Sequence, residues 1–462
     1  AVEAESFDSL AEQVVINSYN CYYEAEGKIS PASNIELDLY CIYILTKADV
    51  AVDQWVYSES SLKTGVLELI DNTKKLEADE DPENDVNAKY VAYQYLAAKG
   101  LGEDDLAQEL LDILINRQEE NGDGTFDNGA WSQWTNLPVF DALNTDGVIT
   151  QLDLEKSIDY ILSLKSEETG DFSDFMSTAQ AVRSLFILKT NEPDYRKAEV
   201  EAAISEGLAW MKAQLRENGS VVFVGDGWSD DAVTDTAETI LTLEELGIDA
   251  DSWVHEATGN TPLDYMLNDA QNPDGTFGSG NMGSNTWALA ALNCLGAKVE
   301  EDTALKIRIT PETVELAVDE EQEFTASAFL VNGDIVDVTT TAVWSASDPA
   351  KASLHSVAEK MIVRRVSAGD FEIDVLYQLL SSKVIIINKS SSGGGGSNSP
   401  TNEIRVSVRV IGENGERLFN GRVTLNKKKV TVFDALVETG LSYKGDSNFI
   451  SAIEGQRNKG LN

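Results

Sequence analysis

Glycines close a series of apolar helical segments at nearly even steps, and this spacing constrains the chain more than any other feature. Gly100, Gly147, Gly247 and Gly296 each follow a helix-like run, at steps of 47, then 100 across two units, then 49. A glycine just past the last turn is a common helix stop, and a period near fifty residues fits a unit of two helices. Six runs are apolar on more than one side: "NIELDLYCIYILTKAD", "VNAKYVAYQYLAAKG", "WTNLPVFDALNTDG", "STAQAVRSLFILKT", "DTAETILTLEELG" and "NTWALAALNCLGA". Each follows a more amphipathic partner such as "EDDLAQELLDILINRQ", where Leu106, Leu110, Ile113 and Leu114 form one stripe. Buried inner helices paired with half-exposed outer ones predict a closed ring, an (α/α)6 toroid over residues 1–302. An open solenoid is the alternative, but it would need polar outer faces on its terminal repeats, and neither the first nor the sixth inner run has one.

The joints between outer and inner helices repeat as well. "NGDGTFDNGAWSQW" (121–134) is echoed by "NPDGTFGSGNMGSNTW" (272–287), and worn versions stand at 166–178 and 216–235. Asp-Gly forms turns, Thr-Phe suits a short extended piece, and the Trp that follows is expected to begin an inner helix. Gln118 with Asp123-Gly124-Thr125-Phe126 and Trp131, and Gln271 with Asp274-Gly275-Thr276-Phe277 and Trp287, resemble the Gln-Trp repeats of the terpene cyclase and prenyltransferase-like toroids. That resemblance covers about 300 residues and speaks to fold.

Beyond residue 302 the text alternates apolar and polar residues, with Pro and Asn-Gly turns, as short antiparallel strands do. Val343-Trp344-Ser345-Ala346-Ser347-Asp348 resembles a strand of the bacterial immunoglobulin-like group 2 domain, which implies a β-sandwich over 303–389. A Gly/Ser linker is read over 390–402. In 403–462, "VTVFDALVETG" followed by "FISAIEG" resembles the small α+β, β-grasp-like C-terminal domain of the transcobalamin family. The strands expected after that turn fall past Asn462, so the module reads as incomplete. The fold class expected is therefore multidomain, α and β.

Charge narrows the partners. Acidic residues outnumber basic ones 79 to 35, a net charge of −44, which disfavours nucleic acid and anionic membrane. No apolar run reaches eighteen residues, so no membrane span is expected. The opening "AVEAESFDSL" reads as a mature chain after signal removal, extracellular or wall-associated. Cys21, Cys41 and Cys294 are expected to be buried free thiols, and two His leave little imidazole for metal or base chemistry. Cys41 and Cys294 sit on the first and sixth inner runs, neighbours only if the ring closes.

Catalytic signatures of related toroids are missing. The Asp-x-Asp-Asp of class II terpene cyclases has only Ser229-Asp230-Asp231, flanked by Asp226 and Asp235. Prenyltransferase zinc ligands are not available, because His255 is the sole His before residue 300, and no thioester motif occurs. Asn121, Asp123, Thr125 and Asp127 have calcium-loop spacing, although Phe126 stands where Gly is needed and Ser132 where Glu is needed. The ordinary alternative there is a plain turn.

With six inner helices starting at one end, one mouth gathers Trp131, Trp134, Asn136, Asp174, Phe175, Trp228, Asp230, Asp231, Asp235, Asn285 and Trp287. Aromatic, amide and acidic groups in a concavity suit a bulky amphipathic ligand. Singly, each has a plainer role: wedging repeats together, or, for Asp235 and Asn285, capping a helix. Three functional readings stand. The resemblance to cobalamin carriers, a toroid followed by a transcobalamin-like end domain, implies a bacterial surface protein holding a corrinoid or similar bulky ligand. The second is a non-enzymatic adhesion or scaffold protein that binds a glycan, a cell-wall component or a protein. The third is a carbohydrate-active hydrolase or lyase using Asp174 with Asp230 or Asp231. His255 as a cobalt ligand, and the run Lys427 to Lys429, read more simply as solvated surface.

Overall fold

The computed structural model describes residues 6–31, 36–78, 86–129, 132–225, 227–389, 404–411, 417–425, 436, 443–445, 450–453 and 456–457. Residues 1–389 form one compact unit and 390–462 a second.

Twelve helices fill the first part of the larger unit. They are α1 (Phe7–Glu24), α2 (Leu39–Lys47), α3 (Leu62–Glu77), α4 (Ala88–Gly100), α5 (Asp104–Asn121), α6 (Gln133–Thr145), α7 (Leu154–Ser163), α8 (Phe175–Asn191), α9 (Lys197–Lys212), α10 (Ala232–Glu245), α11 (Pro262–Asn268) and α12 (Met282–Cys294). Even-numbered helices are buried on most sides, as in α2, where Leu39 through Leu45 are all enclosed. Odd-numbered helices bury one stripe, as in α7 with Ser157, Ile158 and Ile161. The even helices touch in order, α2 to α4, α6, α8, α10 and α12, and α12 touches both α2 and α1. Among the described residues no helix is long and apolar enough to cross a membrane.

Short turns fix the spacing between hairpins. Asp123 Oδ1 accepts from the Thr125 amide at 3.1 Å and its hydroxyl at 2.6 Å. Asp274 holds Thr276, and Asn218 holds Ser220, through the same two bonds. The central glycines have positive φ, +91° at Gly124, +89° at Gly219 and +86° at Gly275, a region open to Gly at no steric cost. Each turn is seated on the next outer helix: Gly124 against the Lys156 carbonyl, Gly219 against Thr261 at the start of α11, and Gly275 against Gln13 of α1. Asn17 of α1 also donates to the Gly275 carbonyl at 2.7 Å, so the last turn is seated on the first helix. Left-handed stops occur at Gly147, Gly247 and Gly296 as expected. In the second hairpin the stop is Gly102, whereas Gly100 lies inside α4, pressed against Thr46.

Two-residue strands lie in the connections: β1 (Ile29–Ser30) with β2 (Leu37–Asp38), β3 (Val56–Tyr57) with β4 (Ser60–Ser61), and β5 (Val224–Gly225) with β6 (Trp228–Ser229). Nine strands follow the helices: β7 (Ala304–Thr310), β8 (Thr313–Leu316), β9 (Glu321–Leu330), β10 (Ile335–Asp337), β11 (Val343–Ala346), β12 (Ala352–Val357), β13 (Lys360–Arg365), β14 (Phe371–Tyr377) and β15 (Leu380–Asn388). One sheet runs β10-β9-β13-β12 with β7 also on β9, and the other runs β11-β14-β15-β8. Phe324 and Val363 of the first sheet share one apolar cluster with Ile373, Val375 and Ile386 of the second. The junction with the helices is apolar too. Leu305 and Val331 belong to the helical core, Tyr19 meets Phe329 at 5.5 Å, and the Ala51 amide donates to Val331. A boundary at residue 302 therefore separates two cores but not two compact units.

In the second unit β16 (Ile404–Ile411) pairs antiparallel with β17 (Arg417–Leu425), the expected hairpin. β18 (Tyr443–Gly445), β19 (Ile450–Ile453) and β20 (Gln456–Arg457) form a small sheet, so strands begin earlier than the sequence suggests. The expected helix around 432–439 lies outside the described residues except Leu436, which is buried, and so do Lys427 to Lys429.

A methyl group at Gly124 or Gly219 would overlap the backbone of the neighbouring helix. Gly124→Ala and Gly219→Ala should each lose about 3 kcal/mol or more of stability. Gly147→Ala, which faces open space, should lose only about 1–2 kcal/mol, and denaturant midpoints would measure the difference.

Candidate functional site

The rim is built from helix starts. Asp38, Asn87, Asp174, Asp231 and Asn281 cap α2, α4, α8, α10 and α12, each side chain accepting from an amide of the first turn. Asp235 and Asn285, read from sequence as caps, sit one turn inside instead. Position four after the cap ties the preceding joint to the helix. Asn136 Oδ1 accepts from the Phe126 and Asp127 amides at 2.8 and 3.1 Å. Thr178 accepts from the Phe172 amide and Asp235 from the Phe223 amide, both at 2.9 Å. Asn136 and Phe175 are fully buried and Asp235 nearly so. Asn285 lines a separate cleft with Asn17, Cys21 and Asn281, and its Oδ1 has no hydrogen-bond partner. Trp131 and Asp226 lie outside the described residues.

Four of the expected residues do meet at the surface. Trp134 and Trp228 are 46% and 52% exposed, unusual for indoles. The Trp134 Nε1 donates to Asp174 Oδ2 at 2.5 Å. Trp228 stands edge-on to Phe223 at 5.4 Å, and the Asp230 amide donates to the Phe223 carbonyl at 3.0 Å. Behind them Phe223, Trp210 and Phe175 pack in series, at 5.3 and 5.8 Å. Asp231 accepts from the Ser279 amide at 2.6 Å, joining the α12 connection to the same edge. Partial burial, with Asp174 and Asp231 nearby, raises the Asp230 carboxyl above its ordinary range.

Deeper in, the inner helices place a polar layer that sequence reasoning missed. Arg183 of α8 donates from Nε and Nη2 to the two oxygens of Asp141 on α6, both at 2.8 Å. Its Nη1 donates to Glu238 Oε2 on α10 at 2.5 Å and to Thr242 at 3.0 Å. Tyr40 of α2 packs on Tyr93 of α4 at 5.4 Å and on Trp287 of α12 at 5.0 Å. Each inner helix thus supplies one member. Trp287, expected at a helix start, belongs to this layer in mid-helix and is 8% exposed. A signal was present in the text: one charged residue inside each of "PVFDALN", "AVRSLF" and "TAETIL".

Other expectations resolve locally. Asp127 pairs with Arg117 and accepts from the Ala88 amide, Asp123 holds Thr125, and Asn121 turns its Nδ2 towards Thr125. Among the described residues no group of three His, Cys, Asp or Glu is placed to hold a metal ion. His255 is half-buried and sits 3.2 Å from the Thr258 hydroxyl. All three Cys are free, but only Cys41 is buried, while Cys21 is half-buried and Cys294 exposed. Cys41 lies 3.9 Å from the Ser18 hydroxyl near the start of α2, whereas Cys294 ends α12.

Burial lifts the Asp235 carboxyl to about 8, with Asp230 and Glu238 adding to the shift. Burial also pushes Glu238 upward, against the pull of Arg183. The folded chain then holds protons that the unfolded chain has lost, so this contribution to stability fades as pH rises from the ordinary carboxylate range through about 8. Asp235→Asn should flatten that slope and gain relative stability above pH 8, as read from denaturation midpoints across pH. Arg183→Met, which strands two buried carboxyls, should lose about 3–5 kcal/mol. The triple variant with Asp141→Asn and Glu238→Gln should recover much of the loss.

Compared with known proteins, the chain matches no family model and no curated sequence.

Proposed function

We propose that residues 1–302 form an (α/α)6 toroid resembling those of terpene cyclases and prenyltransferases, followed by an immunoglobulin-like group 2 domain and a transcobalamin-like end domain. In this reading the chain is a ligand-binding protein of the bacterial cell surface, secreted or wall-associated, and the toroid mouth holds a bulky ligand. The observation that carries the binding role is the pair of exposed indoles, Trp134 and Trp228, standing beside Asp174, Asp230 and Asp231 on one edge. Flat apolar faces next to hydrogen-bond acceptors suit a ligand with both a broad surface and many N–H or O–H donors. A corrinoid combines a macrocycle with an amide fringe and meets that description.

The same indoles favour a second reading, a glycan, because sugar rings stack on indole and their hydroxyls donate to carboxylates. A hydrolase or lyase is the third, and the raised carboxyl of Asp230 is the feature that would serve it as a general acid.

The chain incubated with cyanocobalamin and then desalted should stay red. Trp134→Ala and Trp228→Ala should each weaken binding about tenfold without loss of fold. A colourless protein that is retained on a glycan array would replace the first reading with the second. Release of reducing or unsaturated sugar ends, abolished by Asp230→Asn, would establish the third.

A further inference from the structure

The far ends of the inner helices carry a second concavity. A cleft of about 330 Å³ is lined by Tyr40, Tyr43, Asp141, Arg183, Asn293 and Cys294, among others. Lys47, Thr145, Glu245 and Cys294 also line it, and these are the last residues of α2, α6, α10 and α12. Four helix C-termini therefore converge there, each bringing unsatisfied carbonyls and the negative end of its dipole. Tyr40, Asp141 and Arg183 belong to the polar layer as well, so that layer forms the floor of the cleft.

The lining favours positive charge. Arg183 contributes little free charge, since Asp141 and Glu238 both accept from it. Counting Lys47 and Arg183 against Asp141, Glu245 and Glu238 leaves one net negative charge before the helix termini are added. Asn293 donates its Nδ2 to the Ile44 carbonyl at 3.0 Å, which leaves its buried Oδ1 as an acceptor with no partner. An N–H donor is what that oxygen lacks. The tyrosine wall already accepts a cation, since Lys47 Nζ lies 4.8 Å from the centroid of Tyr43. Glu244 and Glu245, with burial, raise the Cys294 thiol, which fits a negative local field.

We propose that this cleft is a binding site for a small organic cation, a primary or secondary amine, with its N–H donated to Asn293 Oδ1 and its charge met by Asp141, Glu245 and the helix ends. The site is independent of the rim and of whatever the rim holds.

Cys294 reports occupancy directly, because it is the exposed thiol of the three and lines the cleft. The intact chain would be alkylated with iodoacetamide and the modification of Cys294 followed by peptide mass spectrometry. 1,4-Diaminobutane at about four times its dissociation constant should slow Cys294 about fivefold by mass action and leave Cys21 unaffected. The neutral isostere 1,4-butanediol should not protect. Asn293→Leu and Glu245→Gln should each weaken the protection, with helical circular dichroism unchanged. Either variant suffices if the other does not fold. Equal protection by the diol, protection by inorganic phosphate, or no protection by the amine would overturn the proposal.

Discussion

The helical part depends on a steric constraint, the seating of a glycine turn against the next outer helix. At Gly124 and Gly219 the approach leaves no room for a Cβ, and the side chain before each glycine locks the turn by accepting two bonds from the residue after it. A rigid turn seated on a rigid helix fixes the offset between successive hairpins. The last seat, Gly275 on Gln13 and Asn17, brings the twelfth helix back to the first. The helix starts, and with them Asp174, Trp134, Asp230 and Asp231, then share one edge.

Inner helices that face each other rather than solvent must account for every polar group they carry. Arg183 is held by carboxylates from two neighbouring helices, and aromatic rings from the other three complete the layer. Buried charge of this kind adds little net stability but strongly penalises loss of one partner, and a register in which Asp141, Arg183 and Glu238 fail to meet is costly. The layer also separates the rim from the cleft at the opposite helix ends, so the two concavities differ in chemistry. One offers indoles and carboxylates at helix N-termini. The other offers tyrosines, an unpaired amide oxygen and helix C-termini.

Much of this was legible in the residues. The six inner runs are the six buried helices, and the Asp-Gly-Thr-Phe echo is a recurring turn whose worn copy at Asn218 keeps the same bonds. The misses share a cause. Asp235 and Asn285 look like caps because a short polar side chain near a helix start usually is one, yet Asp231 and Asn281 lie one turn earlier. Gly100 looked like a stop, but Gly102 has the positive φ, and Gly100 is small because Thr46 packs on it. Trp287 was read as a rim residue because of its place in the repeat, and its neighbour Tyr40 lies 247 residues away in the chain.

Sequence alone determined the alternation of amphipathic and buried helices, the turn chemistry between them and the change to strands after residue 302, because periodicity and turn preference act over a few residues. Tertiary structure decided which charged residues meet inside the helices, which indoles stay exposed and where a second cleft opens. Those outcomes depend on contacts between segments tens to hundreds of residues apart. Arg183 meets Asp141 and Glu238, 42 and 55 residues away, only because α6, α8 and α10 pack side by side.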